Sequence, residues 1–302
     1  MIALLAPGQG SQTPGMLSPW LEMPGASDQL ASWSDASGLD LIRLGTTASA
    51  EEITDTSVTQ PLVVAATLLA HQELTRRGLP ARGDIVAAGH SVGEIAAYAI
   101  GGVLSADDAV ALAATRGSEM AKACALEPTG MSAVLGGDET EVLARLEDLE
   151  LVPANRNAAG QIVAAGRLDA LEKLAENPPE KARVRQLATA GAFHTQFMAS
   201  ALDGYAAAAA NVETSEPTAV VLSNADGQPV ASASDAMTKL IAQLTRPVRW
   251  DLCTETLRQR SVTAVVEFPP AGTLTGIAKR ELRGIGTHAV KSPADLDGLT
   301  EL

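Results

Sequence analysis

Five apolar residues, Ile2 to Ala6, open the chain and stop at Pro7-Gly8, the pattern of a buried strand. Apolar residues then recur at helical spacing over 61–78, where Arg76-Arg77 followed by Gly78 supplies a C-terminal stop. Residues 84–88 make a second short apolar strand, which runs straight into Gly89-His90-Ser91-Val92-Gly93, and residues 94–100 look helical. Ser105 followed by Asp107 and Asp108 is a cap with acids behind it, and it predicts a helix to about residue 123. Strand and helix thus alternate, which predicts a parallel sheet flanked by helices.

From about residue 127 the rhythm changes. Strands are predicted at 131–135, 151–155, 161–165 and 183–187, with helices at 138–149 and 168–176. The order β-α-β-β-α-β is that of a ferredoxin-like unit, entered at Pro128-Thr129-Gly130. The alternating pattern then resumes. Helices are predicted at 194–211, 234–244 and 273–282, with strands at 219–223 and 262–268. The tail from Lys291 is weakly patterned and reads as loosely attached. The whole reads as an α/β protein. A large α/β-hydrolase-like domain with a mostly parallel sheet takes residues 1–126 and 194–302. A ferredoxin-like (βαββαβ) subdomain is inserted at 127–193.

Composition narrows the partners. The chain has 302 residues, 46% hydrophobic but only 3% aromatic, so its core must be built from Ala, Val, Leu and Ile. A formal net charge of −14 repels phosphate backbones and argues against nucleic acid as a partner. Two cysteines far apart, Cys124 and Cys253, make neither a disulfide framework nor a metal spacing. The short apolar N-terminus lacks a basic region before it, and no apolar run approaches a membrane span. These features predict a soluble, cytoplasmic protein with no membrane or metal partner.

The candidate chemistry centres on Gly89-His90-Ser91-Val92-Gly93, a G-x-S-x-G match placed after a strand and before a helix. Such a turn lifts the serine hydroxyl out of the sheet towards unpaired N–H groups at a helix start, which can hold an oxyanion. A nucleophilic serine needs a base. Of the four histidines, His90 adjoins the serine, His71 lies on a helix and His288 lies near the tail. His194 remains, at the hand-back between the two units. Asp251 could orient it as a third triad member, or a backbone carbonyl could do so, and the spacing does not choose. Pro7-Gly8-Gln9-Gly10-Ser11-Gln12 is a poor phosphate loop. It reads better as a glycine turn that brings the Gln9 amide to the oxyanion site. Arg116 is either a solvated helix arginine or, for an acidic substrate, a bidentate carboxylate holder, with Gly117 allowing close approach.

Those segments, with Thr59-Gln60-Pro61, Gly160-Gln161-Ile162-Val163, Ala192-Phe193-His194, Arg246-Pro247-Val248-Arg249-Trp250 and Gly272-Thr273-Leu274-Thr275-Gly276, span essentially the whole chain. In this order they resemble the malonyl-CoA:acyl-carrier-protein transacylase family, whose members include the acyltransferase domains of fatty-acid and polyketide synthases. The resemblance implies Ser91 as nucleophile, His194 as base and the backbone amides of Gln9 and Val92 as oxyanion hole. It implies Arg116 on the malonyl carboxylate, Gln60, Phe193 and His90 as further substrate contacts, and a backbone carbonyl at Arg249 orienting His194. The implied donor is malonyl-CoA and the implied acceptor is the phosphopantetheine thiol of an acyl carrier protein, with no resident cofactor. Phe193 and Val92 look like the malonyl-selecting form, since a bulky ring leaves no room for an α-methyl group. Glu267-Phe268-Pro269-Pro270-Ala271-Gly272 departs from the commoner Gly-Pro-Gly form. An acidic chain that meets an acidic carrier needs a basic patch, and Arg183, Arg185, Lys279, Arg280 and Arg283 are its candidates, or else an ordinary solvated face. The rivals are a serine esterase or thioesterase on the same turn, and a docking domain that kept the fold.

Overall fold

A computed structural model describes residues 1–78, 85–299 and 302. In chain order, β1 (Ile2–Ala6) is followed by α1 (Ala26–Ser37), α2 (Leu41–Thr46) and α3 (Thr56–Arg76). Next come β2 (Ile85–Gly89), α4 (Gly93–Ile100) and α5 (Ala106–Cys124). The middle segment holds β3 (Thr129–Gly136), α6 (Glu139–Asp148), β4 (Val152–Ala158), β5 (Gln161–Arg167), α7 (Leu168–Glu176) and β6 (Ala182–Gln186). The chain then gives α8 (Leu202–Ala209), β7 (Val220–Leu222), α9 (Ala233–Ala242) and β8 (Val248–Arg249). It closes with α10 (Trp250–Gln259), β9 (Ala264–Glu267), α11 (Thr273–Glu281) and β10 (Gly286–Ala289).

The apolar runs of β1, β2 and β9 are buried along their whole length. Continuous apolar strands suit a sheet covered by helices on both faces. They lie in a five-stranded, all-parallel sheet of order β10-β9-β1-β2-β7. A second, mixed sheet has the order β6-β3-β5-β4-β8, antiparallel except for the β4–β8 pair. Its last strand is only Val248 and Arg249, too short to carry a period, and it comes from outside the middle segment.

Local signals explain many boundaries. Ser105 caps α5 by accepting from the Asp108 N–H, as its position predicts. The strand expected at 84–88 is Ile85–Gly89, and Asp84 lies outside the described residues. The single helix expected over 194–211 is instead a 3-10 segment, Gln196–Ala201, followed by α8. The apolar pattern predicts none of helices α1, α2 and α10 or strand β10. Trp33 and Leu30 of α1 are nonetheless fully buried in the main core.

Two expectations are corrected or explained. The tail is attached: Leu296 and Leu299 are buried in the main core, Asp295 accepts from the Lys291 and Ser292 N–H groups, and Asp297 pairs with Arg77. Two leucines suffice to dock a segment that shows no periodicity. The unusual Glu267 is wholly buried, and its carboxylate accepts from the N–H groups of Gly272, Leu274 and Thr275 at 2.7–2.9 Å. It therefore satisfies donors at the start of α11 that have no partner within the helix.

Candidate active site

The serine turn follows β2. A Cβ on Gly89 would fall 1.9 Å from the Gly93 carbonyl oxygen, and one on Gly93 would fall 2.2 Å from the Ala6 oxygen. Only glycine fits at either end. Between them Ser91 holds a left-handed φ of 54°. Gly8 packs its Cα against the same turn, where a Cβ would meet the His90 oxygen at 2.6 Å. The Pro7–Gln12 loop is thereby brought to the serine.

Ser91 Oγ lies 2.7 Å from His194 Nε2. His194 Nδ1 lies 2.7 Å from the Gln243 carbonyl oxygen. A carbonyl only accepts, so Nδ1 carries the proton and the Nε2 lone pair receives the serine hydroxyl hydrogen. The orienting carbonyl expected at Arg249 is thus that of Gln243. Gln243 begins a 3-10 turn after α9, and its carbonyl, which also takes the Arg246 N–H at a long 3.4 Å, has a second lone pair for His194. Arg249 is drawn away into the second sheet by pairing with Arg156, and its N–H donates to the Asn224 oxygen. Asp251 is no triad member either: its carboxylate takes the Arg249 guanidinium at 3.0 and 2.8 Å.

Burial, helped by the Arg116 charge, pushes His194 down to about 3, so the imidazole is neutral at neutral pH. The Ser91 N–H is spent on Asn224 Oδ1 at 2.8 Å. Among the described residues, the N–H groups of Gln9 and Val92 have no partner.

Arg116, on α5, is wholly buried. Its Nη1 donates to Gln60 Oε1 and its Nη2 to Gln243 Oε1, both at 2.7 Å. Nη2 is also 3.4 Å from Ser91 Oγ, and Nε is buried with no partner among the described residues. Gly117 does not open a path for substrate: a Cβ there would meet the Thr56 oxygen at 2.6 Å, so it serves the packing of α5 on α3. His90 turns away from Ser91. Its Nε2 is 2.8 Å from Asn157 Oδ1 and its ring packs on Trp250 at 5.6 Å between centroids. Phe193 is buried beside His194.

One cavity of about 450 Å³ has Ser91, His194, Arg116, Gln60, His90 and Phe193 on its wall, with Gln9 and Asn157 beside them. Sequence reasoning missed Gln243, Asn224 and Glu94. Asn224 Nδ2 donates to the Gly89 oxygen, and the Asn224 N–H donates to Glu94 Oε1, both at 2.7 Å. The only available sign was the acid directly after the serine motif, at Glu94. Among the described residues no His, Cys, Asp and Glu gather as metal ligands, and no described helix is long and apolar enough to cross a membrane.

Residues 4–294 match the acyl transferase domain family. The chain is 77% identical over 302 residues to the malonyl CoA-acyl carrier protein transacylase of Mycobacterium tuberculosis H37Rv, covering 100% of each. It is 30% identical over 307 residues to the Escherichia coli K12 enzyme of the same name, covering 99% of each. The crystal structure of MCAT from Mycobacterium tuberculosis superposes with a TM-score of 0.97 at 78% identity, covering 99% of each chain. A malonyl-transacylase in complex with a type II polyketide-synthase acyl-carrier protein superposes with a TM-score of 0.92 at 30% identity, covering 99% of each.

Proposed function

We infer the reaction from one premise: the chain belongs to the acyl transferase domain family. It is a malonyl-CoA:acyl-carrier-protein transacylase, which moves a malonyl group from CoA to the phosphopantetheine thiol of an acyl carrier protein in fatty-acid and polyketide synthesis. The observation that carries the substrate is Arg116, a fully buried guanidinium 3.4 Å from a serine hydroxyl that is itself bonded to a neutral histidine. A buried cation needs an anion, and the malonyl carboxylate lies two bonds beyond the thioester carbonyl.

The residue roles we propose follow the geometry. Ser91 Oγ attacks the thioester carbonyl while its proton passes to His194 Nε2. The tetrahedral oxyanion accepts from the Gln9 and Val92 N–H groups. The imidazolium and the oxyanion form together, so their charges offset in a site too dry to hold either alone. The C–S bond breaks, and the His194 proton leaves with the CoA sulfur. The carrier thiol then gives its proton to Nε2 and attacks the malonyl ester, and Ser91 Oγ takes the proton back. Nδ1 stays on the Gln243 carbonyl throughout. Gln60 and Gln243 hold Arg116, Phe193 bounds the acyl pocket, and His90 braces the serine turn against Asn157. Exchange between two thioesters changes no oxidation state and is nearly isoenergetic, so we propose that the side chains need no resident cofactor.

The setting is proposed on the same footing. The βαββαβ order of 127–193, with β6-β3-β5-β4 as neighbours, supports a ferredoxin-like subdomain set into an α/β-hydrolase-like domain of 1–126 and 194–302. Two free thiols and CoA substrates suit the cytoplasm. Arg280, on α11, reaches Gln161 Oε1 at 2.6 Å beside the cavity, and Arg183 and Arg185 lie on the outermost strand β6. They are the basic groups offered to an acidic carrier.

The test is intact mass after mixing with malonyl-CoA. A malonyl adduct on the wild type, absent from Ser91→Ala and discharged by a carrier protein, is the expected result. An adduct lost equally fast to water without the carrier would make the chain a hydrolase.

A further inference from the structure

Glu94, on α4 beside the site, is wholly buried, and the transfer steps above do not use it. A buried carboxylate must have its oxygens answered. The Asn224 N–H reaches Oε1 at 2.7 Å and the Tyr98 hydroxyl reaches the same oxygen at 3.2 Å. The Gln243 Nε2 amine lies against Oε2. At its other end the same amide presents Oε1 to Arg116 Nη2 at 2.7 Å. A guanidinium only donates and a carboxylate only accepts, so this amide fits one way round. It joins a buried cation to a buried anion that do not touch each other.

We propose that Glu94 is a positioning residue for acyl-group selection, acting through the Gln243 amide to aim Arg116 at the acyl carboxylate. The proposal rests on the malonyl-transfer reading. Its reach is wider than Arg116. The Gln243 backbone holds His194 Nδ1, and Asn224, whose N–H binds Glu94, holds the Ser91 N–H. Two intermediaries therefore tie one carboxylate to arginine, base and nucleophile.

The geometry says what an isosteric change would do. In Glu94→Gln the new amide oxygen must face the Asn224 N–H, because a backbone donor cannot be reversed. The new NH₂ then faces Gln243 Nε2, donor against donor. Gln243 must turn over, and its NH₂ comes to face Arg116, which only donates. Arg116 loses an acceptor and its aim. Glutamate at 243 would relieve both conflicts, accepting from the substituted amide with one oxygen and from Arg116 with the other, although the first oxygen would also face the Ser91 carbonyl and Asn224 Oδ1, which accept from the Gln243 amine at 3.1 and 3.2 Å.

The experiment measures loading of Ser91 from malonyl-CoA and from acetyl-CoA by intact mass, on wild type, Glu94→Gln, and Glu94→Gln with Gln243→Glu. The malonyl-to-acetyl ratio is taken within each preparation, so a change in the folded fraction cancels. Glu94→Gln lowers the ratio about tenfold or more, the scale of one charge-assisted hydrogen bond, chiefly by raising KM for malonyl-CoA. The swap recovers part of it, since glutamate restores the acceptor for Arg116 but not the donor for the Ser91 and Asn224 oxygens. A Glu94→Gln ratio within about twofold of wild type overturns the proposal. Should Glu94→Gln fail to fold, the swap decides alone: a retained preference for malonyl over acetyl supports the proposal, and a lost preference overturns it. A wild type without malonyl preference sinks the function itself. A wild-type preference that Glu94→Gln leaves intact sinks only the role of Glu94.

Discussion

Ser91 Oγ and His194 Nε2 meet at 2.7 Å although both residues hold a left-handed backbone, with φ of 54° and 61°. Non-glycine residues adopt this region at a cost, and the surrounding structure must impose it. For Ser91 the imposing contacts are the two glycines and the Asn224 bond. For His194 they are the Gln243 carbonyl and Thr195, whose Oγ1 donates to the Ala192 oxygen at 2.7 Å. The base is thus placed by backbone and not by rotamer choice. His194→Ala should slow malonyl loading about 10²- to 10⁴-fold in single-turnover mass measurements. Loading at the wild-type rate would remove His194 from the chemistry.

Arg116 divides charged from uncharged acyl groups. Arg116→Ala should cut loading efficiency with malonyl-CoA about 10- to 100-fold, from losing about 1.5–3 kcal/mol of charged hydrogen bonding. Acetyl-CoA should load as well as before or better. Equal losses for both would make Arg116 a structural residue that holds Gln60 and Gln243.

Asp251 separates this site from a hydrolase triad. Its carboxylate is engaged by Arg249, with Arg156 Nε at 3.9 Å, and it does not touch His194. Asp251→Asn should leave malonyl loading within about twofold of wild type, where loss of a true triad acid costs orders of magnitude. A large loss would restore the triad reading.

The sequence disclosed what is local. A strand, a glycine-bounded serine and a helix start are contiguous, so Ser91 was legible from its motif, and His194 followed because only four histidines exist. The buried apolar strands were legible from their runs. Gln243, Asn224 and Glu94 were not, because they meet only after the sheet brings β2 beside β7 and α9 packs against α4. An amide's value there depends on which charges flank it, and no spacing records that. The Arg249 expectation failed for the same reason: two residues joined a sheet made by another segment. The tail and α1 escaped because a few large apolar residues, not a period, dock them.

The acid side of the pH profile should belong to Glu94 and not to His194. Burial pushes Glu94 up to about 7 against the donors on it, which are the Asn224 N–H, the Ser223 and Tyr98 hydroxyls and the Gln243 amide. Arg116 on α5, Tyr205 on α8 and Cys253 on α10 are the other titratable groups that feel its charge. Ionised Glu94 keeps the Gln243 amide in place, and a proton on Oε2 opposes it as the isosteric amide does. Malonyl selectivity should therefore fall as pH drops through about 7, well before His194 gains a proton near 3. The malonyl-to-acetyl loading ratio from pH 5.5 to 8.5 reads this out (a range of roughly three pH units about the titration). Glu94→Gln should abolish the slope, and an unchanged slope in that variant would assign it elsewhere.

Phe193 should set the limit on substitution next to the malonyl carboxylate. The residue is 6% exposed, lines the cavity and directly precedes the base. An α-methyl group on the acyl chain must occupy space near the reacting carbonyl, where the ring stands. Steric rejection of one methyl is worth only about 1–3 kcal/mol, so the wild type should load methylmalonyl-CoA slowly and not refuse it. Phe193→Ser opens that space. It also removes a buried aromatic, which costs about 3–5 kcal/mol of stability, so total activity is a poor readout. The methylmalonyl-to-malonyl loading ratio in one preparation cancels that loss, and it should rise about 5- to 100-fold. If the ratio stays put while the protein remains folded, the methyl group is excluded by some other wall of the cavity, and Phe193 serves only to pack beside His194.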